Sequence, residues 1–68
     1  MELRELRRRR YLTMRRLAEM ADLSLATIRD VEIGRHRPSF TTCEKLARAL
    51  NVMPDEIDEC RALIEAGE

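Results

Sequence analysis

Arg29, Arg35 and Arg37 surround Gly34 near the middle of a 68-residue chain, and Arg15 lies a little upstream. A guanidinium is a planar fork of five N–H donors that matches a carboxylate or a phosphate, and it does not give up its proton. Such a group binds anions; it does not move protons. The residue types that could perform covalent chemistry are few. Cys43 and His36 could be drawn as a nucleophile and its base, but Cys43 falls on an apolar helical stripe. His36 sits among arginines, where contact with an anion is the simpler role. The acid pairs Asp55/Glu56 and Asp58/Glu59 are neighbours on a helix surface and do not converge on a cleft. One histidine and two scattered cysteines offer no metal-ligand spacing, and Gly34 and Gly67 do not make a glycine-rich loop. No catalytic residue, cofactor or metal is expected.

Charge supports an anion-binding role for one end of the chain. The formal net charge is +0, yet residues 1–37 carry ten arginines against six acids, leaving +4, and residues 38–68 carry the compensating −4. Screening confines a surface field to about 8–10 Å, so a basic face works locally whatever the total.

The elements that must hold these arginines are all helical. The first helix is read over 2–10, with Leu3 and Leu6 inward. The second covers 14–21 and the third 25–33, with Thr13 and Ser24 supplying the side-chain oxygens that cap free N–H groups. Gly34 takes the left-handed position just past the third helix. Ser39 caps a fourth helix over 40–50, whose inward stripe is Phe40, Cys43, Leu46, Ala47 and Leu50. A fifth runs over 54–66 from Pro54, which suits a first helical position, with Ile57, Cys60 and Ile64 inward and a stop near Gly67. Five short helices with no strand pattern predict an all-α compact orthogonal bundle, one domain over 1–68. There is no signal peptide and no apolar run of membrane-spanning length, so the expected setting is the cytoplasm. There the pattern favours Cys43 and Cys60 as buried free thiols over a bridge.

Two capped helices within 13–34, meeting at the three-residue corner Asp22-Leu23-Ser24, form a helix-turn-helix, an arrangement that places one helix in a DNA groove. The ordered set Leu6-Arg7, Leu12-Thr13, Leu17-Ala18-Glu19, Leu23-Ser24, Thr27-Ile28, Val31-Glu32, Gly34, Pro38-Ser39, Leu46-Ala47-Arg48-Ala49-Leu50 and Asp55-Glu56-Ile57 resembles the phage-repressor/Cro-type (Xre-type) helix-turn-helix domain. The likeness extends from Leu3 to about Ile57 and implies a lambda-repressor-like bundle with the helix-turn-helix in its second and third helices.

The resemblance also implies roles for particular residues. The third helix would enter the major groove and present Leu25, Ala26, Arg29 and Asp30 to base edges. Thr13, Arg15, Arg35, His36, Arg37 and Ser39 would hold phosphates, and Arg7 with Glu32 would form the family's internal ion pair. Arginines and backbone N–H groups on phosphates fix register, whereas side chains on base edges select sequence. Leu25 and Ala26 can only pack against thymine methyls; Arg29 suits guanine, and Asp30 can accept from a cytosine amino group. Where relatives often carry Gln this chain has Met14. Asp22 and Tyr11 replace common glycines, and Tyr11 is expected to cover the edge of the core.

The function implied is a sequence-specific transcriptional regulator that occupies double-stranded DNA as a homodimer on a pseudo-palindromic operator. The alternative is a helix-turn-helix used mainly for contacts with a protein partner, as in an antitoxin, an adaptor or a regulator subunit. Met53, Leu63 and the far side of the fifth helix offer a modest apolar patch for dimerisation; an ordinary exposed Leu63 is the competing reading.

Overall fold

Helices begin where the sequence provides an oxygen and end where the backbone can turn left-handed. The computed structural model describes residues 1–66, so the stop near Gly67 lies outside the described residues. Its elements are α1 (Leu3–Arg9), α2 (Met14–Ala21), α3 (Leu25–Glu32), α4 (Phe40–Leu50), a 3-10 turn (Pro54–Glu56) and α5 (Asp58–Ala66). Thr13 Oγ1 accepts from the Arg16 N–H at 3.0 Å, Ser24 Oγ from Thr27 and Ser39 Oγ from Thr42, both at 3.1 Å. Each cap satisfies a donor that the first helical turn leaves open, a contribution of about 1 kcal/mol.

The first four helices close with one shared device. In each, a residue one or two positions past the helix has positive φ, and two backbone N–H groups bond back to the last turn. After α1, the Tyr11 N–H donates to Arg8 O at 3.0 Å and the Leu12 N–H to Arg7 O at 3.1 Å. The same pattern follows at Asp22-Leu23, Gly34-Arg35 and Asn51-Val52. The left-handed residues are therefore Tyr11 (φ 56°), Asp22 (φ 57°), Gly34 (φ 77°) and Asn51 (φ 57°). Gly, Asn and Asp enter this region at low cost, whereas other L-residues meet a clash worth roughly 1–2 kcal/mol. Behind three of the four turns an apolar residue (Leu12, Leu23 or Val52) packs against the core and anchors the exit of the chain.

The core gathers Leu3 and Leu6 from α1, Leu17, Ala18 and Ala21 from α2, and Ile28 and Val31 from α3. Cys43, Leu46, Ala47 and Leu50 of α4, with Ile57 and Cys60, complete it. Among the described residues every element is helical, giving the all-α five-helix bundle with α2 and α3 as the helix-turn-helix. Truncating a fully buried leucine such as Leu17, Leu46 or Leu50 in so small a core costs about 2–5 kcal/mol.

Four readings of the sequence need correction. Cys43 and Cys60 are not free thiols but a disulfide, with Cα atoms 5.9 Å apart. The two apolar stripes on which they lie face each other where α5 crosses α4. Phe40 is 59% exposed, because the first residue of α4 points outward and the buried stripe starts one turn later at Cys43. Tyr11 is 96% exposed and covers nothing, since its left-handed backbone turns the side chain into solvent. The fifth helix is broken. Pro54 starts a single 3-10 turn, Ile57 adopts extended φ/ψ with its side chain buried, and α5 begins only at Asp58. Glu56 holds that turn by accepting from the Met53 N–H at 2.7 Å.

The start of α1 is tied to the start of α5. Its N-cap residue, Glu2, makes no side-chain cap; instead the Leu3 N–H donates to Glu59 Oε1 at 2.9 Å. The Met1 ammonium donates to Asp58 Oδ1 at 2.6 Å and to Glu56 O at 3.0 Å, while the Asp58 N–H donates back to Met1 O. The Asp58 carboxyl is held below the usual carboxylate range, first by the hydrogen bond from the Met1 ammonium, with desolvation acting in the opposite direction.

Candidate nucleic-acid interface

The orientation of α3 is set from behind by a buried ion pair. Arg7 Nε donates to Glu32 Oε2 at 2.6 Å and Nη2 to Glu32 Oε1 at 3.0 Å, a two-point fork across α1 and α3. Its third contact, Nη1 to Leu12 O at 2.8 Å, reaches the chain entering α2. Side-chain exposure is 11% for Arg7 and 2% for Glu32, so the pair lies in the protein interior. The Arg7 guanidinium is raised above its ordinary value, chiefly by hydrogen bonding to Glu32, against the opposing effect of burial. Arg4 Nε adds a looser contact to Glu32 Oε1 at 3.6 Å. That partner was missed in the sequence, although its spacing of three residues before Arg7 puts both arginines on one helical face. One arginine thus fixes three segments (α1, the entry to α2 and the end of α3) relative to one another. The value of such a pair lies in geometry, since desolvation offsets much of its Coulombic gain.

With its back held this way, α3 presents Ala26 and Arg29 as exposed residues and Leu25 and Asp30 as half-buried ones. Ile28 and Val31, which alternate with them, are buried. Arg29 has no acidic partner among the described residues, so its donors stay free for a ligand. Asp30 is less free. Its carboxylate lies 3.9 Å from His36 Nε2, and its carbonyl accepts from the Arg35 N–H at 2.8 Å and the His36 N–H at 3.4 Å. These bonds fold the arginine loop back over the end of α3.

Arg35, His36 and Arg37 are exposed along that loop, and neither arginine meets an acid among the described residues. Ser39 is exposed but its hydroxyl is engaged at the cap of α4 and with Thr42 Oγ1 at 3.1 Å. Together with Thr27, Asp30 and Thr42, the residues His36, Arg37 and Ser39 line a shallow depression between α3 and α4. Thr13 and Arg15 are exposed at the start of α2. Thr13 spends its hydroxyl as the helix cap, so a phosphate would meet it through the first-turn N–H groups at the positive end of the helix dipole. Met14 is half-buried and packs against the core, which explains how an apolar residue is accommodated at the first position of α2.

The arrangement offers N–H donors to an anion. Exposed guanidinium groups stand on α3, on the loop after it and at the start of α2, and among the described residues no group of histidine, cysteine and acids could hold a metal ion. Among the described residues no helix is long and apolar enough to cross a membrane.

Comparison with known proteins agrees with this geometry. A family model described as helix-turn-helix matches residues 3–57. A related protein, the immunity repressor protein of Bacillus phage phi105, is 38% identical over 55 residues, which is 81% of this chain and 38% of that protein. The chain thus spans well under half the length of this relative. No solved structure matches it. By its fixed residues, its bundle and these matches, the chain belongs to the phage-repressor/Cro-type (Xre-type) helix-turn-helix family of DNA-binding transcriptional regulators.

Proposed function

We propose that this chain binds double-stranded DNA through α3 and acts by occupying an operator, as a homodimer on a pseudo-palindromic site with half-sites about one helical turn apart. The observation that carries the reading is the contrast across α3. Its inner end is locked by the two-point Arg7–Glu32 contact, while Arg29 on the outer face and Arg35 and Arg37 beside it are exposed and unpaired among the described residues. A rigid helix with free guanidinium groups on its outer face is suited to a groove. In this reading Arg29 contacts a base edge, with Leu25, Ala26 and Asp30 beside it, and Thr13, Arg15, Arg35, His36, Arg37 and Ser39 face the backbone. The related phage protein is named an immunity repressor, which agrees with regulation by occupancy.

Selecting bound duplexes from a random pool tests the reading as a whole, because a recovered inverted repeat reports binding, sequence preference and dimer symmetry together. Within the recovered site, Arg29→Ala is expected to weaken binding by about 1–3 kcal/mol for the cognate base and much less for its variants. Arg35→Ala and Arg37→Ala should weaken all sequences alike and flatten the salt slope by about one unit for each lost phosphate contact. Equal loss on every sequence for Arg29→Ala removes it as a base reader. No binding even at low salt removes the DNA reading and leaves protein contact as the use of this surface.

A further inference from the structure

Three of the four helix-closing positions hold the residues that such a turn tolerates, namely Asp22, Gly34 and Asn51; the fourth holds Tyr11. A tyrosine there bears the clash of a left-handed backbone and gains nothing visible for it. Its side chain is in solvent, outside the core, and among the described residues its hydroxyl has no partner. A local rule broken without a compensating contact points to function.

The surroundings say which function. Arg8, Arg9 and Arg10 precede Tyr11, Arg15 and Arg16 follow it closely, and all five are exposed. Arg9 faces Glu5 at 3.9 Å and Arg16 faces Glu19 at 3.4 Å, but Arg8, Arg10 and Arg15 meet no acid among the described residues. Basic residues at the end of α1 complement its dipole, which accounts for Arg8 and Arg9 but not for Arg15 or an exposed aromatic ring.

We propose that the Arg10–Tyr11 turn is a second place where the chain grips the DNA backbone, adjoining the start of α2. The proposal rests on the DNA-binding reading above. Arg10 and Met14 are four residues apart, which caps their separation at ~14 Å. Phosphates recur along one strand every ~3.4 Å of axial rise. A phosphate seated against the first turn of α2 therefore brings its neighbours along the strand to Arg10 and to the Tyr11 hydroxyl. Tyrosine O–H and arginine N–H groups are backbone donors that fix register without reading sequence.

The test uses the whole chain and a random-sequence duplex of about two helical turns, titrated over a range of salt. Tyr11→Gly is expected to move two readouts in opposite directions. The Tm rises, on the order of 4 °C, because glycine removes the left-handed clash. The dissociation constant weakens roughly fivefold, as loss of one hydrogen bond to a phosphate requires. Tyr11→Phe should weaken binding similarly at unchanged Tm, and Arg10→Ala should lower the salt slope by about one unit. Wild-type affinity and slope in Tyr11→Gly and Arg10→Ala, with the parent chain binding, overturn this proposal alone. Failure of the parent chain to bind any duplex at low salt overturns the DNA reading and this one with it. Tyr11→Gly that leaves DNA binding intact but weakens self-association assigns the turn to protein contact and overturns the proposal.

Discussion

The two halves of the bundle are held by different kinds of tie. In the first half, α1 and α3 are joined by Arg7 and Glu32, a pair whose forked geometry fixes direction as well as distance. In the second half, α4 and α5 are joined by a covalent bond between Cys43 and Cys60. A forked ion pair dictates how one helix is rotated against another but adds little net energy after desolvation. A disulfide shortens the unfolded chain's repertoire and adds stability, yet says little about which face a helix shows. The half that presents α3 carries the orienting tie. The other half, α4 with α5, carries the strengthening one.

Glu32→Ala breaks the first tie and should give the largest loss. It leaves the Arg7 guanidinium, 11% exposed, with the Leu12 carbonyl as its remaining close partner. Removing one member of a buried pair costs about 3–5 kcal/mol. A chain of this size has a total stability of only several kcal/mol, so thermal unfolding should start well below that of the parent. Glu32→Gln keeps the shape and separates stability from orientation. If it folds at the parent temperature and still loses sequence preference, the tie is confirmed as orienting. A variant unchanged in both respects shows that the pair does neither.

Reduction of Cys43–Cys60 is the matching experiment in the other half. The bond closes a span of 17 residues, for which chain entropy gives about 3 kcal/mol. The Tm should fall by on the order of 10 °C in reductant, while DNA affinity measured well below both transitions stays at its oxidised value. Thiol alkylation of the denatured protein without prior reduction checks the premise, since both sulfurs are buried in the fold: two labelled cysteines mean that no bond is there. A matched fall in affinity and stability would mean that the two ties are not separate.

Much of this difference could be read before folding, and the reasons for the rest are local. Thr13, Ser24 and Ser39 announce their helices because a cap needs only one side-chain oxygen and its own chain neighbours. Gly34 announces its turn for the same reason. Tyr11 occupies an identical turn but does not announce it, since the bonds that force positive φ there come from the preceding helix and not from the residue's own preference. The exposed face of α3 followed from the buried Ile28 and Val31 between its members. The disulfide did not follow from the stripes that hold the two cysteines, because facing stripes bring sulfurs together equally well in reduced or oxidised form. The break at Ile57 was hidden for a related reason. Pro54, Asp55 and Glu56 suit any helical first turn, and it is the burial of Ile57 and the Met53–Glu56 bond that end it after three residues.

A third tie joins the two halves directly, and it should be the weakest. Met1 and Leu3, at the start of α1, meet Asp58 and Glu59 at the start of α5. Asp58 is held below its ordinary carboxyl value by the Met1 ammonium, so the carboxylate is favoured in the folded state. A group lowered in this way contributes stability that is present above the unfolded value, near 3.9, and disappears as pH falls through the folded one. The contact is therefore intact at neutral pH and should open only in acid, below about pH 4. Because both groups are exposed to solvent, the effect is small and salt-sensitive. Comparing the parent with Asp58→Asn over the acid range isolates it: the parent should be the more stable of the two at neutral pH, and the gap should close on acidification. A gap that stays constant with pH removes the ammonium–carboxylate contact as its source, and would leave the Leu3–Glu59 bond as the link between the orienting half and the strengthened one.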